Sequence, residues 1–599
     1  MKSVRLLLLL FLIPSIAFTQ ATDKRLKGIE KELNELLGNW KAPGFAVAVV
    51  EGNEVIYSNG FGQRDIEKGL PVTANTLFAI GSCSKSFTSA LLGILRSETE
   101  LTFDDPPGKY IDGLKFYNNE MNDQITIRDL MCHRTGLPRH DYSWYFFPTD
   151  NRDSLMARIE FQEPTFGVRE QWQYNNFMFL AQGVIAEEVT GKSWEDNIRE
   201  RFFKPLGMNT AAVDIKEMTS RADYATGYEL KNDEVIRSMD YYEIRGMAPA
   251  GSINSSVNEM TAWLKVWING GKFNGKEIIP ADYAQEAMSS QMVVTAGLPS
   301  AELPDAFLAN YGYGWFLSSY RGHYRVEHGG NIDGFSASTS FFPSDSLGIV
   351  VLTNQNGSPI PGIVRNLVAD RMLGLNKINW SDRLKKQRDE QIAAQQETVK
   401  STSSNRKENT QLSHPITDYT GSFENPAAGK IRVTFRNDSL FANSNDASLW
   451  LEHYHYDVFE PHFINKYGVD TTSSLLRVVY QTDASGDISG FTLNIEPTLD
   501  PILFKRAIEA VDITEGELQK YTGEYELGGM VARFFTKDDE LHLIVPNQPE
   551  YTLIPTGDDS FAIKGLDGFK VKFTANDSGK ITEAVFTQPN GVFAAKRKE

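Results

Sequence analysis

The first two thirds of the chain combine strand and helix periodicities. Two β-rich runs, residues 45–50 and 54–61, flank Gly52-Asn53, a dipeptide typical of a β-hairpin turn. Near the other end of this region, residues 336–342 and 347–353 predict a second pair of strands. Strands at both ends with helices between them indicate an α+β domain in which one antiparallel sheet is flanked by helices.

Helical periodicity occupies much of the sequence between these strands. Apolar residues spaced three or four apart predict a helix over residues 82–95, because they share one face of a 3.6-residue repeat. A second helix is predicted to follow Tyr174 and to end at Gly191, and a third to cover residues 363–373. We therefore expect one domain over residues 20–375.

The composition changes after this domain. Residues 376–415 are dominated by Lys, Arg, Gln, Glu, Ser and Asn and are nearly free of apolar side chains. Such a stretch cannot bury enough apolar surface to fold alone, so it predicts a polar linker, with a helical part at residues 382–396.

The sequence beyond the linker contains an internal repeat. Tyr419-Thr420-Gly421 recurs as Tyr521-Thr522-Gly523, and Phe504-Lys505-Arg506 recurs as Ala595-Lys596-Arg597. Self-similarity at a spacing of roughly 90–100 residues in strand-rich sequence predicts two copies of one β module, residues 416–508 and 509–599. Each is expected to be an all-β, barrel-like module, since a closed barrel leaves no exposed strand edge.

The N-terminus has the features of a secretory signal peptide. Lys2 and Arg5 precede an apolar run at residues 6–13, and small residues follow at Ser15 and Ala17. The run is shorter than the ~20 residues of a membrane-spanning helix, so a membrane anchor is the less favoured alternative. We predict that residues 1–19 are a signal peptide and that the protein is exported, to the periplasm or the extracellular space, without a stable membrane anchor.

Composition argues against several other classes of function. The chain has 599 residues, too many for one core, and a net charge of -18 without a basic stripe, which argues against a nucleic-acid partner. Its two cysteines do not make a disulfide framework. Without a His-Glu-x-x-His motif or a pair of neighbouring cysteines, we expect no metal site. The alternative is a two-ligand metal site at His453 and His455, which share one face of a predicted strand.

A candidate nucleophile, Ser82, stands at the start of the first predicted helix. Lys85 follows three residues later, so one helical turn brings a hydroxyl and an amine to the same face. An amine in this position can serve as the base that a serine needs to become a good nucleophile. The same spacing at Ser404 and Lys407 lies in a polar stretch without helical periodicity, and we interpret it as a chance match.

Two further motifs follow Ser82-x-x-Lys85 along the chain. Tyr174-Asn175-Asn176 precedes a predicted helix, and His328-Gly329-Gly330 precedes a predicted strand pair. In this order the motifs resemble those of the serine β-lactamase and penicillin-recognising enzyme family, in the branch of class C β-lactamases, D-aminopeptidases and related esterases. The resemblance implies a serine hydrolase that needs no cofactor and acts on a small-molecule or peptide substrate.

The second motif has competing matches. Tyr57-Ser58-Asn59 and Tyr117-Asn118-Asn119 also fit Tyr-x-Asn, but the first lies inside a predicted strand and the second precedes no helix. We therefore assign the motif to Tyr174. By resemblance, Tyr174 shares proton transfer with Lys85, and Asn176 orients the lysine and the substrate amide. The alternative role of Asn176 is a helix N-cap.

The third motif departs from the Lys-Thr-Gly of the family, because His328 takes the place of the lysine. A histidine titrates near neutrality and is a weaker anchor for a substrate carboxylate than a lysine. His-x-Gly variants resemble D-aminopeptidases and esterases more than true β-lactamases. Gly330 is expected to let the substrate approach the strand closely. By resemblance, the backbone N–H groups of Ser82 and Asn331 form the oxyanion hole.

These residues together imply hydrolysis of an amide, ester or lactam bond through an acyl-enzyme, with D-amino-acid peptides and small esters as the expected substrates. One alternative is a β-lactamase or a D-alanyl carboxypeptidase acting on cell-wall peptides. Another is a peptide- or glycan-binding protein whose hydrolase domain is slow or inactive. The C-terminal modules resemble the two lipocalin-like β-barrels that some D-aminopeptidases of this family carry.

Overall fold

The computed structural model describes residues 23–598, except for residues 296–297, 302–303, 306, 404, 445–446, 473–474, 485, 497–498 and 567. The predicted signal peptide and Ser404 of the chance match therefore lie outside the described residues. The described chain forms two compact units. The first consists of residues 23–113, 123–136 and 167–388, and the second of residues 114–122, 137–166 and 389–598.

The first unit is built on one antiparallel sheet, as the strand pattern predicted. Within the described residues it has nine strands, in the spatial order Met292–Val293, Ala309–Tyr311, Phe316–Tyr320, His323–Ile332, Phe335–Phe342, Leu347–Thr353, Gly44–Glu51, Glu54–Asp65 and Leu70–Pro71. The first strand of the N-terminal hairpin, Gly44–Glu51, pairs with Leu347–Thr353, the strand of this sheet that comes last along the chain, and Val47 lies opposite Val351. The two ends of this part of the chain therefore meet in the middle of one sheet.

Helices cover both faces of the sheet. Ile29–Asn39 and Ile360–Met372 bury an apolar cluster on one face, and Val257–Ile268 packs on the other. The helices predicted at residues 82–95, after Tyr174 and at 363–373 are confirmed, with shifted bounds. Further α-helices of this unit are Lys85–Glu98, Ile127–Met131, Phe177–Thr190, Trp194–Ile198, Lys204–Leu206, Ile215–Thr219, Ala248–Gly251 and Ala281–Ala287. Of the helices that the structure describes, none is long and apolar enough to span a membrane.

The polar segment after residue 375 contains one long helix, Trp380–Ser403, and the start of this helix belongs to the first unit. Trp380 is buried in the apolar cluster under the sheet, and its Nε1 donates to Asp370 Oδ2 at 2.8 Å. Trp40 Nε1 donates to Ser381 Oγ at 2.9 Å. The first unit therefore extends to Arg388, past the end expected at residue 375. A single tryptophan among polar residues gives no periodicity from which this could be inferred.

A Trp380→Ala variant is expected to lower the free energy of unfolding of the first unit by about 3 kcal/mol, because it removes a buried aromatic side chain and leaves a cavity. Lys385→Ala, an exposed position on the same helix, is the matched control and should change stability little. Urea unfolding followed by tryptophan fluorescence compares the two. If the two variants had equal stability, Trp380 would not belong to the core of this unit.

The two predicted β modules are eight-stranded closed barrels within the part of the chain that the structure describes. The strands of the first barrel are Gly421–Asn425, Gly429–Arg436, Ser439–Asn443, Ser448–His455, Val458–Asn465, Val478–Thr482, Ile488–Leu493 and Ile502–Arg506. Those of the second are Gly523–Leu527, Met530–Lys537, Glu540–Ile544, Tyr551–Gly557, Ser560–Ile563, Lys570–Ala575, Ile581–Gln588 and Gly591–Arg597.

The sequence repeat corresponds to a repeated set of contacts in the barrels. Tyr419 donates to Asp457 in the first barrel, and Tyr521 donates to Asp559 in the second. The arginine of each terminal repeat donates to the carbonyl of the threonine in Tyr-Thr-Gly, within its own barrel. The repeated residues therefore close each barrel in the same way.

The second unit also contains residues 137–166, which we call the strap. Its helices are Tyr142–Tyr145 and Arg152–Ala157. The chain leaves the first unit at Gly136, runs through the strap and returns at Gly167. The sequence predicted no such excursion, because this loop-rich stretch has no regular periodicity.

Candidate active site

Ser82 lies in a single 3-10 turn, Gly81–Ser84, directly before the helix Lys85–Glu98. In a 3-10 turn the side chains of residues three apart point in the same direction. This geometry brings Lys85 Nζ to 3.0 Å from Ser82 Oγ. The helix begins three residues later than predicted, but the hydroxyl and the amine face each other as the spacing required.

The Lys85 side chain is fully buried and its amine is held by three acceptors. Nζ donates to Ser82 Oγ, to Asn176 Oδ1 at 2.7 Å and to the Ala250 carbonyl at 2.6 Å. None of the three is a carboxylate. Two hydrogens of the amine are used by Asn176 and Ala250. The remaining position of the nitrogen faces the serine, and it is a third hydrogen when the amine is charged and a lone pair when the amine is neutral.

Tyr174 completes the contact with the nucleophile. Its hydroxyl donates to Ser82 Oγ at 2.8 Å, and its ring lies 5.0 Å from Lys85 Nζ. Of the competing matches, Tyr57 lies in the strand Glu54–Asp65 and packs in the core under the sheet, and Tyr117 belongs to the second unit. Two proton-carrying groups therefore converge on one serine oxygen.

Asn176 stands at the N-cap position of the helix Phe177–Thr190, but its side chain makes no cap hydrogen bond. The Oδ1 atom accepts from Lys85 Nζ instead. The side chain of Asn176 is therefore turned towards the lysine, as the family resemblance implied, while its backbone carbonyl accepts the first helical hydrogen bonds, from Phe179 and Leu180.

The strand His323–Ile332 passes directly against the nucleophile turn. A Cβ atom on Gly330 would lie 1.9 Å from the Ile80 carbonyl oxygen and 3.1 Å from Ser82 N, so only glycine fits there. A Cβ atom on Gly81 would lie 2.9 Å from Asn331 N. Gly330 thus allows the two backbones to approach each other, which is a role beyond the substrate approach predicted for it.

The backbone N–H groups of Ser82 and Asn331 both lie at this contact between the turn and the strand, since each nitrogen is close to the glycine of the other segment. The Asn331 side chain points to other partners, because its Oδ1 accepts from Ser336 Oγ and from Gly357 N, each at 2.8 Å. Asn331 can therefore contribute its backbone rather than its side chain. Two such N–H groups can stabilise the negative oxygen of a tetrahedral intermediate.

His328 is buried beside this site rather than open to it, with 2% of its surface exposed. Its Nδ1 lies 2.6 Å from the Gly329 carbonyl oxygen, and its Nε2 lies 3.0 Å from the Tyr311 hydroxyl. Burial and the nearby charge of Lys85 lower the pKa of His328 to about 3. The sequence predicted a histidine that titrates near neutrality. Burial instead keeps the imidazole neutral, with Tyr311 donating to it.

This neutral histidine makes stability depend on pH. Below pH 6.5 the unfolded chain binds a proton at this position that the folded chain does not bind, so the free energy of unfolding falls as the pH falls. Between pH 7 and pH 5 the contribution of His328 is about 2 kcal/mol. A His328→Gln variant is expected to lose that much less stability over this range in urea unfolding. An equal loss in both proteins would mean that the folded state holds His328 in an ordinary environment.

Several supporting groups could not be inferred from motifs. The Ala250 carbonyl has no sequence signature, because any residue supplies one. His133 lies at positive φ, +56°, and its ring packs 4.3 Å from the ring of Tyr174. The Asn175 N–H approaches His133 Nδ1 at 3.2 Å. Trp172 and Tyr311 extend this aromatic layer. For these supporting groups, the only signal in the sequence is the presence of a histidine, His133, in a loop-rich stretch.

The two histidines of the alternative metal site make other hydrogen bonds. His453 Nε2 contacts the Tyr456 carbonyl oxygen at 2.8 Å, and His455 Nδ1 accepts from Lys407 N at 3.2 Å. In the described part of the chain, no group of three or more His, Cys, Asp or Glu residues is arranged to hold a metal ion.

Two family models match the chain, each over a different stretch. The profile of the family described as Beta-lactamase matches residues 29–370, more than half of the 599 residues. The profile described as Domain of unknown function (DUF3471) matches residues 405–506, which contain the first barrel.

Similar proteins span much of the chain at low identity. An unguisins hydrolase of Aspergillus campestris is 26% identical over 495 residues, which is 78% of this chain and 89% of that protein. Protein flp of Staphylococcus aureus strain N315 is 26% identical over 353 residues, 58% of this chain and 67% of its own. An octameric penicillin-binding protein homologue from Pyrococcus abyssi superposes with a TM-score of 0.54 at 20% identity, covering 87% of this chain and 98% of that one. The last likeness concerns the fold alone.

Proposed function

The chain belongs to the Beta-lactamase family of serine hydrolases, and from this premise we propose that it is an exported hydrolase that cleaves amide or ester bonds through an acyl-enzyme on Ser82. The observation that carries the proposal is the convergence of Lys85 Nζ and Tyr174 Oη on Ser82 Oγ, at 3.0 and 2.8 Å. Hydrogen-bonded contact between a nucleophile and its base is the arrangement that serine acyl transfer requires.

The reaction follows from these contacts. Ser82 Oγ attacks the substrate carbonyl, and its proton passes to the pair formed by Lys85 and Tyr174, both of which contact that oxygen. The negative oxygen of the tetrahedral intermediate lies between the N–H groups of Ser82 and Asn331, each worth roughly a factor of 100 to 1000 in turnover. The Tyr174 hydroxyl delivers that proton to the leaving amine or alcohol, so the pair ends the acylation step with the protons it began with. Water then attacks the acyl-enzyme by the same route and releases the acid.

The environment of His328 supports substrates without a free carboxylate next to the cleaved bond. A lysine at this position would supply a fixed positive charge, whereas the buried imidazole is neutral and already bonded to Tyr311. We therefore propose small esters and peptide amides of D-amino acids as substrates, ahead of β-lactams and carboxyl-terminal cell-wall peptides. Export rests on the signal-like sequence of residues 1–19.

A substrate panel tests the proposal. It contains D- and L-aminoacyl p-nitroanilides, p-nitrophenyl esters and a chromogenic cephalosporin, with a fluorophosphonate probe read by intact mass. We expect labelling of one residue and turnover of the esters and D-amides. Dominant turnover of the cephalosporin would establish a β-lactamase instead. A protein that neither labels nor turns over any substrate would contradict a serine hydrolase and favour a binding role.

A further inference from the structure

The two chain segments that lead into and out of the strap lie in the first unit, and we call them together the neck. Arg169 N donates to the Arg134 carbonyl at 2.8 Å, which joins the two segments. Both arginines also bind the carboxylate of Asp129, whose side chain is fully buried. Burial alone would raise the pKa of Asp129, but the hydrogen bonds and charges of Arg169 and Arg134 lower it below its usual value. The neck is thus held by a buried carboxylate clamped from two sides.

Both segments of the neck are close to Tyr174, one through contacts of His133 and the other along the chain. On the incoming side, the His133 carbonyl accepts from Gln173 N at 2.9 Å, and the His133 ring packs on the ring of Tyr174. On the outgoing side, the chain runs seven positions from Gly167 to Tyr174. Tyr174 therefore lies only a short stretch of backbone from the end of the strap.

Residues 142–147 of the strap, which we call its head, are inserted into the core of the first barrel. Tyr142 and Phe147 belong to the apolar cluster of that barrel and are almost fully buried. The ring of Phe147 stacks on Phe504 with the centroids 5.9 Å apart, and the ring of Phe146 stacks on Phe463 at 5.6 Å. Polar contacts fix the same segment, since Ser143 donates to the Ala427 carbonyl and Ser444 Oγ donates to the Phe146 carbonyl at 2.8 Å.

The first barrel is adapted to this insertion in a way that its repeat is not. A Cβ atom on Gly429 would lie 3.0 Å from the ring of Phe147, so glycine leaves the space that this ring occupies. Phe504, on which the ring stacks, corresponds in the repeat to Ala595 of the second barrel. The apolar cluster of the second barrel is built from described residues between 513 and 595 and contains no part of the strap. Two copies of one module have thus come to differ at the position that receives Phe147.

We propose that the first barrel, which matches a domain of unknown function, is an intramolecular receptor for the strap and thereby positions Tyr174 for proton transfer. The proposal rests on the proposed serine hydrolase activity. Tyr142, Phe146 and Phe147 act as positioning residues, because they pack in the apolar cluster of the first barrel and act on Tyr174 through the strap. The strap has 30 residues, and burial of its aromatic head in the barrel restricts the conformations of the chain that leads to Tyr174.

The test uses the full-length protein and four variants. Phe147→Ala removes the inserted ring, and Phe147→Leu keeps an apolar side chain. Phe463→Ala removes the partner of Phe146 from the barrel side, where 37% exposure makes the change tolerable for the barrel. Phe593→Ala, at 39% exposure on the second barrel, is the matched control. Hydrogen exchange of peptides from residues 137–176 and steady-state kinetics on the best ester are measured for each.

Phe147→Ala is expected to speed exchange across residues 137–176 and to lower kcat by roughly 10- to 100-fold, because small displacements of a catalytic group have effects of this size. KM should change less than about threefold, since substrate contacts are not removed. Phe463→Ala should lower kcat in the same direction, by roughly 3- to 10-fold. Phe147→Leu should stay within about twofold of the parent, as an apolar replacement of similar volume, and Phe593→Ala should match the parent in both measurements.

Two outcomes would overturn the proposal. Faster exchange of the strap in Phe147→Ala with unchanged kcat would show that the insertion is structural only. Unchanged exchange would show that the barrel does not hold the strap through this residue. The proposed hydrolase function fails separately, in a parent protein that neither labels nor turns over substrate, while the exchange data still report whether the barrel holds the strap.

Discussion

A Ser82→Ala variant is expected to lose at least ~10⁴-fold in turnover and all covalent labelling by a fluorophosphonate, because it removes the atom that forms the acyl-enzyme. The fold should be unchanged, since Ser82 occupies a 3-10 turn whose backbone an alanine adopts equally well. The lysine, the tyrosine and the two backbone N–H groups stay in place, so any residual rate reports on their contribution alone.

The measurement is intact mass after labelling, together with kcat on the best ester and a circular dichroism spectrum. Ser404→Ala, which alters the chance match to the same spacing, should label and turn over like the parent protein. A covalent adduct that persists in the Ser82→Ala variant and maps to another serine of the first unit would show that the nucleophile is assigned incorrectly.

Lys85→Ala and Tyr174→Phe are each expected to lower kcat by roughly 10²- to 10⁴-fold, the range of general acid–base catalysis. The double variant should lose no more than about a further tenfold, because residues that act as one unit have strongly non-additive effects. Both groups contact the same oxygen, so either loss interrupts one proton path. The substitution of Tyr174 keeps its ring packing on His133 and removes only the hydroxyl.

Tyr57→Phe is the control for the tyrosine, since Tyr57 fits the same Tyr-x-Asn pattern but packs in the core under the sheet, and its kcat should equal that of the parent. The four-protein cycle of parent, two single variants and double variant gives the interaction directly. Losses that multiply in the double variant would show that Lys85 and Tyr174 act in independent steps.

Much of the first unit could be predicted from periodicity, because its sheet and longest helices are amphipathic or wholly buried. The Gly52-Asn53 hairpin, the helix that follows Asn176 and the paired strands after residue 335 all have such patterns. The contact between Lys85 and Ser82 could be predicted because one helical turn separates the two residues. Local order of this kind is visible in a single sequence.

Features that depend on contacts distant in sequence could not be predicted. A free histidine titrates near neutrality, but the pKa of His328 is set by the elements that bury it. That burial cannot be inferred from the residues next to it in the sequence. Trp380 joins the core from a stretch that is otherwise polar. The carbonyl that holds Lys85 comes from Ala250, 165 positions away. In each case the decisive partner is brought in by tertiary structure.

The strap also sets the order in which this protein can mature. Ser143 meets the Ala427 carbonyl across 284 positions of chain, so the segment beside the catalytic tyrosine has no receptor until the first barrel has been made. Until that point in synthesis, Tyr142, Phe146 and Phe147 lack the barrel core that covers them in the folded protein. Closing so long a loop is slow compared with folding of the local hairpins and helices. If the barrel positions Tyr174 as proposed, the site reaches its final geometry only after the barrel has formed, and a chain interrupted before residue 506 would carry Ser82, Lys85 and Tyr174 without the complete barrel that receives the strap.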